Sequence, residues 1–302
     1  MTTETRIKRS EIEKLTLSQI VDDDRVKTRF VELYNARNRS KDGAAFYTLA
    51  TESFIRCIQE DKNLQECTPV SLYNAFLDMS FYGVNVSKQT QPLAYLLWNN
   101  VNVGAKDKPR YEKRATLAIS PYGELAIRQN LGQVKYAESP IIVYEDDEYS
   151  GIYVKGGIKM VDYRKNMKSK NRNIVAAFMK IIKTDGSVDY VEVDMSQIER
   201  LKGYSSRKNR GEANALYTSN SGQIDEGFLI AKLIKHAFKA YPKVSNPALS
   251  AVFESDKPEV EDVQDIYGMD EDAAPEEQTT EAEQYTVEDA TAEDVSDEKD
   301  SF

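Results

Sequence analysis

The chain has one histidine, His236, and two cysteines, Cys57 and Cys67, in 302 residues. Each scarcity removes a class of chemistry. A single histidine leaves histidine acid–base relays and His-ligated metal sites without their usual parts, so His236 reads as a structural or surface cation. The cysteines lie on predicted helical ground with neither a C-x-x-C pair nor matching histidines. They read as packing residues in a reducing cytosol, not as a zinc or disulfide framework. No G-x-x-x-x-G-K-[ST] segment occurs, so no loop is expected to cradle the phosphates of ATP, and an ATP-driven recombinase or helicase is disfavoured. No apolar run approaches the roughly 20 residues of a membrane span. The opening MTTETRIKRSEIEKL has no apolar signal segment, so the expectation is a cytoplasmic protein away from membranes. No internal repeat is visible.

Charge is abundant and unevenly divided. The formal net charge is −10, but residues 254–302 carry 20 Asp or Glu and 2 Lys, a net of −18. The preceding 253 residues hold 38 Lys or Arg against 30 Asp or Glu, a net of +8. So acidic a segment, with few large apolar residues, cannot bury enough surface to offset the entropy of ordering, so 254–302 is expected to be a disordered tail. Within the body, 1–50 is expected to be an N-terminal helical segment available for oligomer contacts, and 51–253 the core.

The body reads as α+β: a helical N-terminal part, a small and mostly antiparallel central sheet with a hairpin, and a basic C-terminal helix. Ser10 with Glu13 suggests a capping box, and Phe46, Leu49, Ala50, Ser53, Phe54 and Cys57 recur at helical spacing. Thr68 and Pro69 suit the start of a helix with Val70, Tyr73, Phe76, Leu77 and Phe81 inside and Gly83 as a left-handed cap. Strand composition marks 93–98, 114–119 and 134–144, with a helix from Ser120 and Pro121 to Gly132 between the last two. Thr184-Asp185-Gly186 separates two strand-like runs as a hairpin turn. Ser196 with Glu199 suggests a helix stopped by Gly203, and Asp225 caps a last helix that ends before Pro242. On that helix Ile230, Leu233, Ile234, Ala237 and Tyr241 fall on one side, and Lys232, Lys235, His236 and Lys239 on the other.

The remaining cations concentrate in three stretches expected to be loops or element ends. They are Lys106, Lys108, Arg110, Lys113 and Arg114; then Lys155, Lys159, Arg164, Lys165, Lys168, Lys170 and Arg172; then Arg200, Lys202, Arg207, Lys208 and Arg210. Tyr111, Tyr153, Tyr163 and Tyr204 are interleaved. Cations that neutralise phosphates and aromatic faces that stack on bases are what sequence-tolerant binding of single strands requires. Against this stands one enzyme reading: Glu145-Asp146-Asp147-Glu148, or Glu192 with Asp194, could hold Mg²⁺ for a nuclease. A third reading is a nucleic-acid coat protein that does not anneal.

From Ser53 to Ala248 the chain resembles the RecT family of phage and prophage single-strand annealing proteins. The helix ending at Gly83, followed by Pro92-Leu93-Ala94-Tyr95-Leu96-Leu97, is similar to the family's helix, turn and strand. LAISPYGELAIRQNLGQV (117–134) resembles its stretch of two glycines bracketing a helix, here Gly123 and Gly132. Tyr122 directly precedes Gly123, and Arg128 sits four residues before Gly132 instead of beside it, a departure from the family pattern. VYEDDEY (143–149) looks like the family's Val-x-x-Gly-Asp-Glu-Phe, Gln197-Ile198-Glu199 like its Gln-Ile-Glu, and KLIKHAFKAYP (232–242) like its basic helix. The resemblance implies a protein without covalent catalysis that binds single-stranded DNA and annealed duplex intermediates, needs no cofactor, and forms a ring or filament of identical subunits. Magnesium would at most modulate DNA binding. It implies a RecE-type exonuclease as partner; the Phe-terminated acidic end suggests the host single-strand-binding protein as another. It makes the cations above, with Arg128, Tyr163 and Tyr204, the candidate DNA contacts. The acidic tail would compete with DNA for the basic body.

Overall fold

The computed structural model describes residues 7–38, 40–87, 92–105, 108–208 and 211–241. The expected tail, Lys106, Arg210 and the side chain of Lys208 lie outside the described residues.

Six helices come first: α1 (Arg9–Ile12), α2 (Leu17–Asp22), α3 (Asp24–Arg37), α4 (Gly43–Glu60), α5 (Lys62–Gln65) and α6 (Pro69–Tyr82). The capping box expected at Ser10 is displaced. The cap lies two residues earlier, at Lys8: Glu11 Oε2 accepts from the Lys8 N–H at 2.9 Å, and Glu13 pairs with Arg9. A reciprocal pair that sequence reading passed over opens α2, where the Thr16 N–H donates to Gln19 at 2.8 Å and Thr16 Oγ1 accepts from the Gln19 N–H. α6 follows expectation, with Thr68 accepting from the Ser71 N–H, Pro69 in the first turn and Gly83 at φ 63°. A Cβ on Gly83 would lie 2.3 Å from Asn38 Oδ1, so glycine is required there by both backbone and space.

α1 to α6 pack with a two-stranded antiparallel hairpin, β1 (Ala94–Asn102) and β2 (Tyr111–Ile119), around one core. At its centre Phe76 lies 4.8 Å from Phe30 and 5.1 Å from Phe54, ring centre to ring centre. Cys57 and Cys67 are buried in this core, and burial pushes the Cys67 thiol up to about 12, so Cys67 is not a ready nucleophile. A boundary at residue 50 is not a division of the structure: it falls within α4, and Ile20, Val26 and Phe30 share the core with Phe54 and Phe76.

The second core begins after α7 (Pro121–Asn130). The expected strand over 134–144 is two strands, β3 (Val134–Ala137) and β4 (Ile141–Tyr144), which pair end to end along one edge of a central strand, β7 (Ile174–Lys183). Pro140 lies in the break, where a ladder N–H would be missing. β8 (Val188–Asp194) pairs antiparallel with the other edge of β7 through the expected turn at Gly186. A second hairpin, β5 (Glu148–Lys155) and β6 (Ile158–Arg164), occupies the first half of the stretch read as a basic loop. It covers one face of β7 through Tyr149, Val161 and Tyr163, against Val143, Ala176 and Phe178. The other face is covered by α8 (Met195–Lys208) and α9 (Glu226–Phe238), whose Ile198, Leu229, Leu233, Ile234 and Ala237 meet Met179 and Ile181.

α8 corrects two expectations. Asp194, directly before it, accepts from the Gln197 N–H at 2.8 Å and from the Ser196 hydroxyl at 2.7 Å, so the acid caps and Ser196 is already inside the helix. Gly203 does not stop the helix, which runs on to Lys208. Asp225 caps α9 as expected, accepting from the Phe228 N–H at 2.9 Å. The α+β reading holds.

Candidate nucleic-acid interface

The two cores meet at α7. Ser120 accepts from the Gly123 N–H at 3.0 Å, and Gly123 lies so close to β1 that a Cβ would be 1.9 Å from the Leu93 carbonyl oxygen. One turn on, Arg128 is only 2% exposed. Its Nη1 donates to Glu124 Oε2 at 2.6 Å, and its Nη2 to the carbonyls of Phe238 and Tyr241 at 3.1 and 3.0 Å. Phe238 is the last residue of α9 and Tyr241 lies three residues beyond it, at the helix end where a cation is favoured. Arg128 is therefore a clamp between α7 and α9. Its assignment as a DNA contact is corrected: the guanidinium is out of reach of a phosphate.

The first cation stretch is largely committed to the protein's own acids. Glu112 sits between Arg110 at 3.0 Å and Arg114 at 3.6 Å. Lys113 bonds Glu66 and Asn63, both at 2.7 Å, over the Trp98 ring. The Arg114 side chain is 18% exposed. Among the described cations of the stretch, only Arg110 and Lys108 project strongly into solvent, beside the exposed Tyr111. This end of β1 and β2 offers a polyanion less than the sequence suggested.

The second stretch divides in two. In the hairpin, Lys159 pairs with Asp189 at 2.8 Å and Arg164 lies 3.9 Å from Glu148. Tyr163 is corrected from a stacking platform to a packing residue. Its ring lies 5.5 Å from Phe178, its hydroxyl donates to Asp147 at 3.1 Å, and burial followed by that hydrogen bond raises its pKa to about 12.

Beyond β6, the loop 165–173 is laid over the acidic turn that follows β4. The Asn166 N–H donates to Asp147 Oδ1 at 2.8 Å and the Ser169 hydroxyl to Asp146 Oδ2 at 2.5 Å. The side-chain amides of Asn171 and Asn173 both donate to Glu145 Oε2, at 3.0 and 2.9 Å. The hydrogen bonds from Asn171 and Asn173 hold Glu145 below the usual carboxylate range. Desolvation pushes Asp147 up, but donors from Asn166, Tyr144 and Tyr163 outweigh it and leave it lowered as well. The acids thus hold the loop by its amides and hydroxyl. Lys165, Lys168, Lys170 and Arg172 are all exposed, and Arg172 lies 5.0 Å over the Tyr144 ring. None of these four takes part in an ion pair within 4.0 Å among the described residues, though Lys165 adds its charge to the field at Asp147.

Most carboxylates of the nuclease reading are hydrogen-bonded within the protein. Glu192 accepts from the Tyr149 hydroxyl and the Ile152 N–H, and Asp194 caps α8. No group of three or more potential metal-ligating His, Cys, Asp or Glu occurs among the described residues.

The loop is tied to the head of α9. Gln223 Oε1 accepts from the Ile174 N–H at 2.6 Å, and the Tyr144 hydroxyl donates to Glu226 at 2.7 Å. Along α9, Lys232 lies 4.7 Å over the Phe228 ring, Lys235 and Lys239 are exposed and His236 is half-buried, opposite the apolar side as the helical spacing predicts. On α8, Arg200 and Arg207 are exposed, Lys202 lies 3.7 Å from Glu199, and Arg207 stacks at 4.9 Å over the half-buried Tyr204. Sequence reading missed Met167 on the loop, 83% exposed among the lysines. A lone methionine in a polar run gives no periodic signal.

Residues 49–267 match the model of the RecT family. The chain belongs to that family. The match covers α6 through α9, including the loop and α7, and ends 14 residues beyond Phe253, inside the acidic segment. Comparison with curated proteins returned no match. Membership makes the chain a protein of single-strand annealing in DNA recombination, a function that implies binding of single-stranded DNA. No helix among the described residues is long and apolar enough to cross a membrane.

Proposed function

We propose that this RecT-family protein binds single-stranded DNA along its second core and anneals complementary strands without ATP or covalent chemistry. One observation carries this reading: the acidic turn spends its carboxylates on amide and hydroxyl donors of the 165–173 loop, leaving that loop's cations outward and outside ion pairs within 4.0 Å among the described residues. Two DNA strands repel along their phosphates, so an annealer has to screen backbones while leaving base edges open for pairing. Loop lysines with the cations of α8 and α9 supply the first without reading sequence. With about six to ten phosphates engaged, affinity falls roughly 10³- to 10⁵-fold between 50 and 200 mM salt.

The protein acts in the bacterial cytoplasm as a homo-oligomer, ring or filament, beside a RecE-type exonuclease. It needs no cofactor, with Mg²⁺ acting only on DNA affinity, and hands strands over from the host single-strand-binding protein. The test mixes complementary oligonucleotides with the full chain in EDTA and no nucleotide. Accelerated duplex formation is expected; binding without pairing would make it a coat protein, and strand loss on adding Mg²⁺ would restore the nuclease reading.

A further inference from the structure

Met167 is the most exposed of the large apolar side chains described, at 83%, against 67% for Val154 at the tip of the β5–β6 hairpin. Isolated exposed apolar residues are common and usually mean nothing. Two features set this one apart. The backbone around it is pinned: the Asn166 N–H is held by Asp147, Asn166 Oδ1 accepts from the Lys168 N–H at 3.1 Å, and Ser169 is held by Asp146. The turn at Met167 and Lys168 is thus fixed from both sides, and the thioether stands outward. Its neighbours in the loop are Lys165, Lys168, Lys170 and Arg172, a charge pattern that selects a polyanion and disfavours an apolar protein surface.

We propose that Met167 is a base-contacting wedge: with phosphates held by Lys165, Lys168 and Lys170, its side chain inserts against the face of a base and opens the stack between neighbouring bases of single-stranded DNA. This rests on the single-strand binding proposed above and adds a named contact to it. A thioether is unbranched and polarisable and packs well on aromatic faces, and methionine is among the apolar side chains that wedge between base steps. Such a contact is indifferent to sequence, because every base has a face, and it leaves Watson–Crick edges free. A step opened at intervals also keeps the bound strand from collapsing on its own stacking, which favours search by a second strand.

The experiment uses the full chain and an oligonucleotide carrying 2-aminopurine, whose emission rises when it is unstacked. The unmodified protein is expected to raise emission on binding, and M167Q, similar in length but polar, to lose about half or more of that rise with an affinity loss of only about threefold. In parallel, M167W is expected to show tryptophan quenching on binding unlabelled DNA, while V154W on the hairpin tip does not. Unchanged 2-aminopurine emission in M167Q, or no quenching in M167W while filter binding remains, overturns the wedge and leaves the DNA-binding reading intact. Equal quenching of V154W overturns the assignment to this loop. Failure of the unmodified chain to bind any single strand overturns the function on which the wedge rests.

Discussion

The first core and the 165–173 loop of the second handle positive charge in opposite ways. In the first, cations are matched or folded in: Arg25 lies between Asp23 and Glu11, Lys113 is held by Glu66, and Glu112 serves both Arg110 and Arg114. In the second, acids of the turn after β4 are diverted to amides and a hydroxyl, and the lysines beside them stand free of ion pairs within 4.0 Å among the described residues. A similar density of Lys and Arg in sequence thus yields a neutralised surface in one place and a polyanion surface in another. The difference teaches that the partners of the acids, not the count of cations, decide which cations stay outside ion pairs.

The largest expected effect breaks the link between the cores. Arg128→Ala leaves the buried Glu124 carboxylate and the Tyr241 carbonyl without their guanidinium donor, and about 3 to 5 kcal/mol of stability should be lost in urea unfolding. Arg114→Ala, at the first core's surface, should cost less than about 1 kcal/mol. Next, reversing Lys165, Lys168 and Lys170 to Glu should weaken single-strand affinity on the order of 100-fold and lower the salt slope by about 2, while the same change at Arg110, Lys113 and Arg114 should leave the slope nearly unaltered. Similar slopes for the two triples would erase the comparison.

A smaller effect concerns the anchor. Asp147→Asn should loosen the loop and cost about two- to fivefold in DNA affinity through added ordering entropy. Because the Glu145 and Asp147 pKa values are lowered in the fold, their contribution is complete above the unfolded carboxylate range near about 4 and is lost as pH falls through the lowered folded values. Loop amide exchange should therefore change little between pH 8 and pH 5, after correction for intrinsic rates. The smallest effect is a gain: a Cβ on Gly203 meets nothing within 4 Å, so Gly203→Ala should stabilise α8 by about 0.5 to 1 kcal/mol. Gly123→Ala, aimed at the Leu93 carbonyl, should destabilise.

Much of the fold could be read locally. Thr68-Pro69, Ser120-Pro121 and Asp225 mark helix starts through side chains that act within three residues, and Gly83 and Gly186 mark turns through their own backbone. What escaped was tertiary. Arg128 looked like a surface cation because the carbonyls that bind it are 110 and 113 residues away. The β5–β6 hairpin was hidden because Gly156-Gly157 sits in a run of cations and one strand face is solvated. Gly203 misled because a lone glycine marks a helix end only when the backbone turns left-handed there. The acidic run offered a nuclease reading, and its work in shaping the basic loop needed coordinates. Of the candidate contacts, Lys165, Lys168, Lys170 and Arg172 on the loop and Lys235 and Lys239 at α9 are exposed, while Arg128 is buried and Tyr163 is packed against Phe178.

The central claim is that single-stranded DNA lies on the second core and not on the paired cations of the first. Hydrogen exchange of the full chain with and without an oligothymidine tests it most directly. Protection is expected over 165–173 and 228–239 with little change over 108–114; protection confined to 108–114, with the loop and α9 unaffected, would contradict it.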